Sequence, residues 1–307
     1  MRIILGTPYS FKRIGKRGNQ EDARYPDDDR PSGNSSFFLV CDGVGGCEKG
    51  EVASNAVCRA FVETLEGRDW GGDFSNDDFS RVLTYAYQEL DRIADTAHRD
   101  MGTTLTFVCF HADGCLAAHI GDSRIYHVRP GTGILYRSED HSLVNALVHS
   151  GNITPDEAIN HPRGNVITRC ISVAGKKEEW PKATVMRIDN LEAGDYFFLC
   201  TDGVLESVTD KTLVDILSSS LSDEAKLNRV ADLCQDSYDN HTAYLIPVAS
   251  VTVDAMEMAD EPFPVSDEEG SSTRAFSRNM EQTREVAAIH STTAIGKVAA
   301  FIQRIFK

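Results

Sequence analysis

The sequence predicts a layered α+β protein in which helices pack outside antiparallel sheets, and three observations carry that prediction. Short runs rich in β-branched and aromatic residues recur along the chain. Helical periodicity comes in grouped segments instead of alternating strictly with strands, which disfavours a doubly wound parallel sheet. A turn of hairpin type also joins two of the runs.

Strand-like runs fall at residues 37–41, 103–110, 116–120 and 124–128, and at Thr184–Ile188 and Tyr196–Cys200. Ala112-Asp113-Gly114 supplies the hairpin turn between the second and third. Over residues 49–65, Val52, Ala53, Ala56, Val57, Ala60, Phe61 and Leu65 share one helical face, and further helices are expected over 79–97 and 223–238. Thr154-Pro155-Asp156-Glu157 combines an N-cap, a proline at the first helical position and a capping-box glutamate, so a short helix begins there.

A length of 307 residues gives one large globular domain room to bury a core and leaves an extension. The composition changes after Val253, so the domain is placed at residues 1–253. Residues 254–270 are acidic and proline-containing, and they form a linker. Beyond it, Ile295, Val298, Ala299, Ile302, Ile305 and Phe306 share one helical face, the pattern of a helix that docks on a partner or a membrane surface, or folds back on the domain.

A formal net charge of −16 repels nucleic-acid and membrane phosphates over long range, so nucleic acid is excluded as a partner. Carboxylates gathered around cations account for part of such an excess. The eight cysteines never form a Cys-x-x-Cys pair, and Cys41, Cys109 and Cys200 sit inside apolar runs as buried free thiols. With no apolar core of signal-peptide length in residues 1–11 and no stretch long enough to cross a bilayer, the expected location is the cytoplasm.

Two distant segments echo each other. Phe37-Phe38-Leu39-Val40-Cys41-Asp42-Gly43-Val44 and Phe197-Phe198-Leu199-Cys200-Thr201-Asp202-Gly203-Val204 are each an apolar strand ending in Asp-Gly. One Asp-Gly is ordinarily just a turn. Two at the ends of buried strands can aim carboxylates into a cleft, with glycine letting a backbone carbonyl approach a cation, and such oxygen donors suit Mg²⁺ or Mn²⁺. Further carboxylates stand beside turn chemistry at Glu21-Asp22, Asp122 and Asp239; taken singly, each reads as a cap or a solvated charge.

Taken in order, the segments form a set: Arg17-Gly18-Asn19-Gln20-Glu21-Asp22, Asp42-Gly43-Val44-Gly45-Gly46, Gly102-Thr103-Thr104, Gly121-Asp122-Ser123-Arg124, Thr201-Asp202-Gly203 and Asp239-Asn240-His241-Thr242. This set resembles the metal-dependent protein phosphatase family of the 2C type. The resemblance covers about residues 14 to 253 and is specific as an ordered whole. Residues 152–158 and 161–169 resemble the flap of bacterial members.

The resemblance implies a four-layer α-β-β-α sandwich of two antiparallel sheets and a serine/threonine protein phosphatase using two Mn²⁺ or Mg²⁺ ions. Phosphorylated proteins are then the substrates, and a serine/threonine kinase opposes the enzyme. In the family pattern Asp42 bridges two ions, the Gly43 carbonyl binds one, and Asp202 and Asp239 bind the other. Glu21 reaches a metal through water and Asp22 orients the network, although the two roles could be exchanged. Asp122, with Asp202, matches a third, weaker site. Arg17 matches the residue that positions phosphate, for which a planar guanidinium fork is suited. The ions would activate a water for attack without a covalent phosphoenzyme.

Two departures stand out. Val44 replaces the histidine that many eukaryotic members carry after the first Asp-Gly, so no catalytic histidine is assigned; His141 and His161 are read as structural and His241 as pointing away from the metals. Cys170-Ile171-Ser172 also departs from the usual small residue, leucine and glycine, and alters the end of the flap. The competing readings are a catalytically silent binding module of the same fold, which would be expected to have lost Asp42, Asp202 or Asp239, and a different two-metal phosphohydrolase acting on nucleotides or nucleic acid, the latter disfavoured by the negative charge.

Overall fold

Every residue of the run 37–41 is buried because its two faces meet different layers. Phe37, Leu39 and Cys41 pack under helices, while Phe38 and Val40 enter a core shared by two sheets. That two-sided burial explains a continuous apolar run where a half-solvated strand would alternate. In this computed structural model the described residues are 2–31, 35–44, 49–68, 72–94, 101–159, 161–173 and 180–252.

In chain order the elements are β1 (Arg2–Leu5), β2 (Tyr9–Arg13), β3 (Asp22–Tyr25), β4 (Phe37–Asp42), α1 (Gly50–Leu65), α2 (Asn76–Ile93), β5 (Gly102–Thr103), β6 (Leu105–His111), β7 (Gly114–Ile120), β8 (Arg124–Arg129) and β9 (Gly133–Arg137). They continue with α3 (Leu143–His149), α4 (Pro155–Ala158), β10 (Ile171–Ser172), β11 (Thr184–Ile188), β12 (Tyr196–Cys200), α5 (Asp202–Leu205), α6 (Asp210–Leu217), α7 (Asp223–Leu233) and β13 (His241–Thr252). One antiparallel sheet runs β11-β7-β6-β4-β3, and the other runs β1-β13-β12-β8-β9 with β2 also on β13.

Three apolar clusters define the layers. Helices α1 and α2 cover the first sheet, with Phe61 and Phe79 on Phe107. Helices α5, α6 and α7 cover the second, where Val204, Leu213 and Val230 meet Phe198 and Leu245. Between the sheets, Phe38 meets the Tyr244 ring at 5.5 Å and Phe110 meets Phe197 at 5.0 Å, both edge to face. The order helix, sheet, sheet, helix is the four-layer α+β sandwich that the family resemblance implies.

The differences are local. The run 103–110 is broken at Thr104, whose hydroxyl accepts the Asp42 N–H at 3.0 Å in place of a ladder carbonyl. Helix α2 begins earlier than expected, at Asn76, because Ser75 and Asp78 form a reciprocal capping box. Helix α7 ends at Leu233, short of 238: Tyr238 N–H donates to Glu206 at 2.8 Å and the Ser237 hydroxyl to the Gly203 carbonyl at 3.0 Å, turning the chain off the helix. Strand β13, helix α3 and helix α6 had no counterpart in the sequence reading. The expected segments at 95–97, 254–270 and 295–306 lie outside the described residues. No helix among the described residues is long and apolar enough to cross a membrane.

Candidate metal centre

Strands β4 and β12 end at one cavity of about 140 Å³ and bring Asp42, Gly43 and Asp202 to it. Arg17, Glu21, Asp42, Gly43, Asp122, Asp202 and Asp239, all the candidate site residues of the sequence, line it together with Val44, Thr104, Asn165 and Ile167. Asp22 does not line it. Its carboxylate is buried behind the cavity and accepts from the hydroxyls of Thr242 at 2.7 Å and Thr201 at 3.2 Å, tying β3 to β13 and to the end of β12.

Polar contacts of long sequence range hold the lining residues. Asn240 accepts the Glu21 N–H at 2.7 Å and donates to the carbonyls of Ile14 and Asn19, fixing the loop that carries Arg17. The Glu21 carbonyl accepts from Gly43 N–H at 3.1 Å and from the Ser54 hydroxyl of α1 at 2.6 Å. Thr104 pairs its hydroxyl with that of Ser123 at 2.7 Å, linking Asp42 to the Asp122 loop. Arg17 Nη2 donates to Asp239 Oδ2 at 2.5 Å, and the arginine remains partly exposed at the rim.

The two glycines serve close packing. A methyl group on Gly203 would lie 2.1 Å from the Asn240 carbonyl oxygen, and one on Gly43 would lie 2.5 Å from the backbone of Gly50. Each Asp-Gly thus lets a second backbone segment press against its strand end. The sequence reading had credited the glycines with carbonyl access alone.

Burial and crowding raise the proton affinity of Glu21, Asp42, Asp122 and Asp202 around this small cavity. Asp42 is pushed well above the usual carboxylate range by burial and then by Asp22, Asp202, Asp122 and Asp239. Burial and Asp202 push Asp122 up to about 7, and burial and Asp239 push Asp202 up to about 6. Burial raises Glu21 as well, with Glu51 adding to it. Asp22 is raised to about 7 by burial against the two threonine hydroxyls that lower it. Such crowding is relieved by protons or by cations, and an all-oxygen donor set fits Mg²⁺ or Mn²⁺. The residues therefore fit the ions that the family resemblance implies.

The flap closes one side through Asn165 and Ile167. Leu143 N–H donates to the Val166 carbonyl at 2.8 Å, while His161 Nδ1 accepts the Arg163 N–H at 3.1 Å. Where Cys170-Ile171-Ser172 departs from the family pattern, β10 pairs with β5, and the Cys170 sulfur and a Val44 methyl group both lie beside Gly102, whose carbonyl accepts the Val44 N–H at 3.0 Å. Among the described residues lining the cavity there is no histidine. His241 instead packs edge-on to Phe11 with Nδ1 at the Asp239 carbonyl.

The residue that the sequence reading undervalued is His141. Its N–H donates to the Gly121 carbonyl at 2.9 Å, its Nδ1 accepts the Gly121 N–H at 3.1 Å, and its carbonyl accepts from Thr168 N–H at 2.7 Å. It thereby joins the Asp122 loop to the flap. The only sequence signal was its place in Asp140-His141-Ser142, before the N-cap of α3.

Comparison with known proteins agrees with this architecture. The family model described as protein phosphatase 2C matches residues 18–235. Protein phosphatase PhpP of Streptococcus pneumoniae is 34% identical over 197 residues, 61% of this chain and 74% of that protein. The crystal structure of the serine/threonine phosphatase PstP/Ppp of Mycobacterium tuberculosis superposes with a TM-score of 0.67 at 27% identity, covering 80% of this chain and 100% of that one. A PstP catalytic domain in complex with two manganese ions gives 0.65 at 27% identity, over 81% of this chain and 100% of that one. The chain belongs to the protein phosphatase 2C family. It is a metal-dependent serine/threonine protein phosphatase with Mn²⁺ or Mg²⁺ as cofactor.

Proposed function

We propose that Asp42, Gly43, Asp202, Asp239 and Glu21 hold two Mn²⁺ or Mg²⁺ ions, and that Asp122 with Asp202 offers a third, weaker place. The observation that supports this most is the convergence of five carboxylates and Gly43 on one cavity with Arg17 at its rim. Asp42 is assigned to both ions, the Gly43 carbonyl to one, and Asp202 and Asp239 to the other, with Glu21 acting through water. When bound, the ions lower the pKa of water and offset charge on phosphoryl oxygens.

The chain's own groups do the rest. Arg17 reaches phosphate oxygens with two N–H groups of its planar fork, exchanging the Asp239 contact for the substrate. Asn165 and Ile167 of the flap bound the space beside it and limit solvent. Val44 offers no proton, so water protonates the leaving serine or threonine oxygen.

Phosphoserine and phosphothreonine proteins are the substrates in this reading, and a serine/threonine kinase that writes those marks is the opposing partner. Cys41, Cys58, Cys109, Cys115, Cys200 and Cys234, buried cysteines in no disulfide, support a reducing, cytoplasmic setting. The domain is assigned to residues 1–253, and the amphipathic segment at 295–306 is assigned a docking role; deleting 254–307 should leave catalysis intact and abolish any vesicle flotation. Hydrolysis of a phosphothreonine peptide tests the main reading: folded protein that shows no Mn²⁺- or Mg²⁺-dependent turnover across pH would overturn it.

A further inference from the structure

Helix α1 turns a largely apolar face inward, and Ser54 stands within it. Its buried companions on the helix include Ala53, Ala56, Val57, Ala60 and Phe61, whereas Ser54 buries a hydroxyl with 0% of the residue exposed. Taking a hydroxyl out of water is costly unless it is hydrogen-bonded, and a helix offers a serine the carbonyl one turn back. Ser54 meets such a carbonyl, that of Glu51, only at 3.3 Å. The shorter contact, 2.6 Å, runs to the carbonyl of Glu21, 33 residues away in the chain. A hydroxyl carries one proton, and the shorter contact takes it.

The main chain of Glu21 is fixed at both of its polar groups. Asn240 accepts its N–H at 2.7 Å, and its carbonyl receives the Gly43 N–H at 3.1 Å as well as the Ser54 hydroxyl. The Gly43 contact already satisfies that carbonyl, so the serine is not needed to relieve an unpaired acceptor. What it adds is a link to α1. The Glu21 carboxyl carbon lies 3.3 Å from where a methyl group on Gly50 would sit, so its side chain runs against the first turn of the helix that also holds its main chain.

We propose that Ser54 is a positioning residue for the metal centre: its hydroxyl sets the Glu21 main chain against α1 and thereby aims the Glu21 carboxylate into the cavity. The proposal rests on the ligand set in which Glu21 serves a metal through water. Ser54 does not itself line the cavity and acts only through Glu21. With alanine in its place, Asn240 and Gly43 still hold Glu21 within the loop, but nothing ties its carbonyl to the helix.

Calorimetric titration of the metal-stripped full chain with Mn²⁺ tests this. Ser54→Ala and Glu21→Gln should each bind Mn²⁺ about tenfold more weakly than the wild type, the scale of losing a supporting contact. The double variant should be hardly weaker than either alone, because both changes act through one carboxylate. Ala60→Gly, further along α1, weakens the helix and serves as the control: it should lower the melting temperature and leave Mn²⁺ affinity unchanged. The proposal is overturned if Glu21→Gln weakens binding and Ser54→Ala does not, if Ala60→Gly weakens it as much as Ser54→Ala, or if the effects of Ser54→Ala and Glu21→Gln simply add. Should Glu21→Gln bind Mn²⁺ as tightly as the wild type, the ligand reading for Glu21 falls, and the role of Ser54 falls with it.

Discussion

The imidazole of His141 accepts the backbone N–H of Gly121 at 3.1 Å, across 20 residues of sequence. The acceptor nitrogen is Nδ1, so the proton sits on Nε2, 2.9 Å from the Thr184 hydroxyl, while the ring stacks on His119 at 4.5 Å. Burial, His119 and Arg169 push the His141 pKa down to about 3, which keeps Nδ1 an acceptor at every working pH. Asparagine can place its amide oxygen near Nδ1, whereas glutamine reaches the position of Nε2. His141→Gln is therefore expected to raise the Mn²⁺ concentration needed for half-maximal activity by about tenfold, the scale of losing a supporting contact. His141→Asn should recover most of that loss; equal effects in the two variants would contradict the assignment.

Asp202→Asn removes a charge and opens no core cavity. Turnover should fall by about a hundredfold or more, with at least one metal lost per chain by direct metal analysis and an unchanged circular dichroism spectrum. Normal turnover with full metal content would remove Asp202 from the proposed ligand set.

Arg17→Lys keeps the charge and gives up the planar fork. The KM for a phosphopeptide should rise, by an amount equivalent to about 1.5–3 kcal/mol for a lost charged hydrogen bond, with metal content unchanged. A loss of metal in this variant would mean that Arg17 supports Asp239 and not phosphate.

The carboxylate cluster makes stability depend on pH in an unusual direction. Asp22 and Asp122 sit at about 7 in the fold and Asp202 at about 6, against about 3.9 in an unfolded chain. Between those values the folded state binds more protons, so the slope of unfolding free energy with pH is negative. Metal-free protein in chelator should lose melting temperature as pH rises from about 4 to about 7, and Mn²⁺ should stabilise more at pH 8 than at pH 5 because protons no longer compete. Thermal scans with and without Mn²⁺ at both pH values check this.

Gly203→Ala should destabilise the fold by about 1–3 kcal/mol, since its methyl group meets the Asn240 carbonyl with no flexible side chain to yield. Chemical denaturation measures it. An unchanged midpoint would show that the two strand ends can separate.

What could be read in the sequence follows from periodicity and order. Strands β4 and β12 were legible because burial on both faces leaves an unbroken apolar run, and α1 because seven apolar residues fall on one face. Strand β13 has no clear local signature because Pro247, which has no N–H to give a ladder, stands inside it opposite Tyr196. The site residues were legible only as an ordered set, since Asp42 or Asp122 alone looks like a turn. That Glu21 lines the cavity while Asp22 lies behind it, and that His141 spans two loops, depends on partners at Thr242, Gly121 and Thr168 that no local pattern announces.

The pairing of Arg17 with Asp239 spans 222 residues, and Asn240 clamps the Glu21 loop from almost as far away. Because β13 also pairs with β2 on one side and β12 on the other, the cavity cannot be assembled until β13 is in place. A chain still emerging from the ribosome is therefore unable to strip phosphate from its surroundings, and a premature stop ahead of residue 239 leaves a fragment with most of the mass of the enzyme and none of its chemistry.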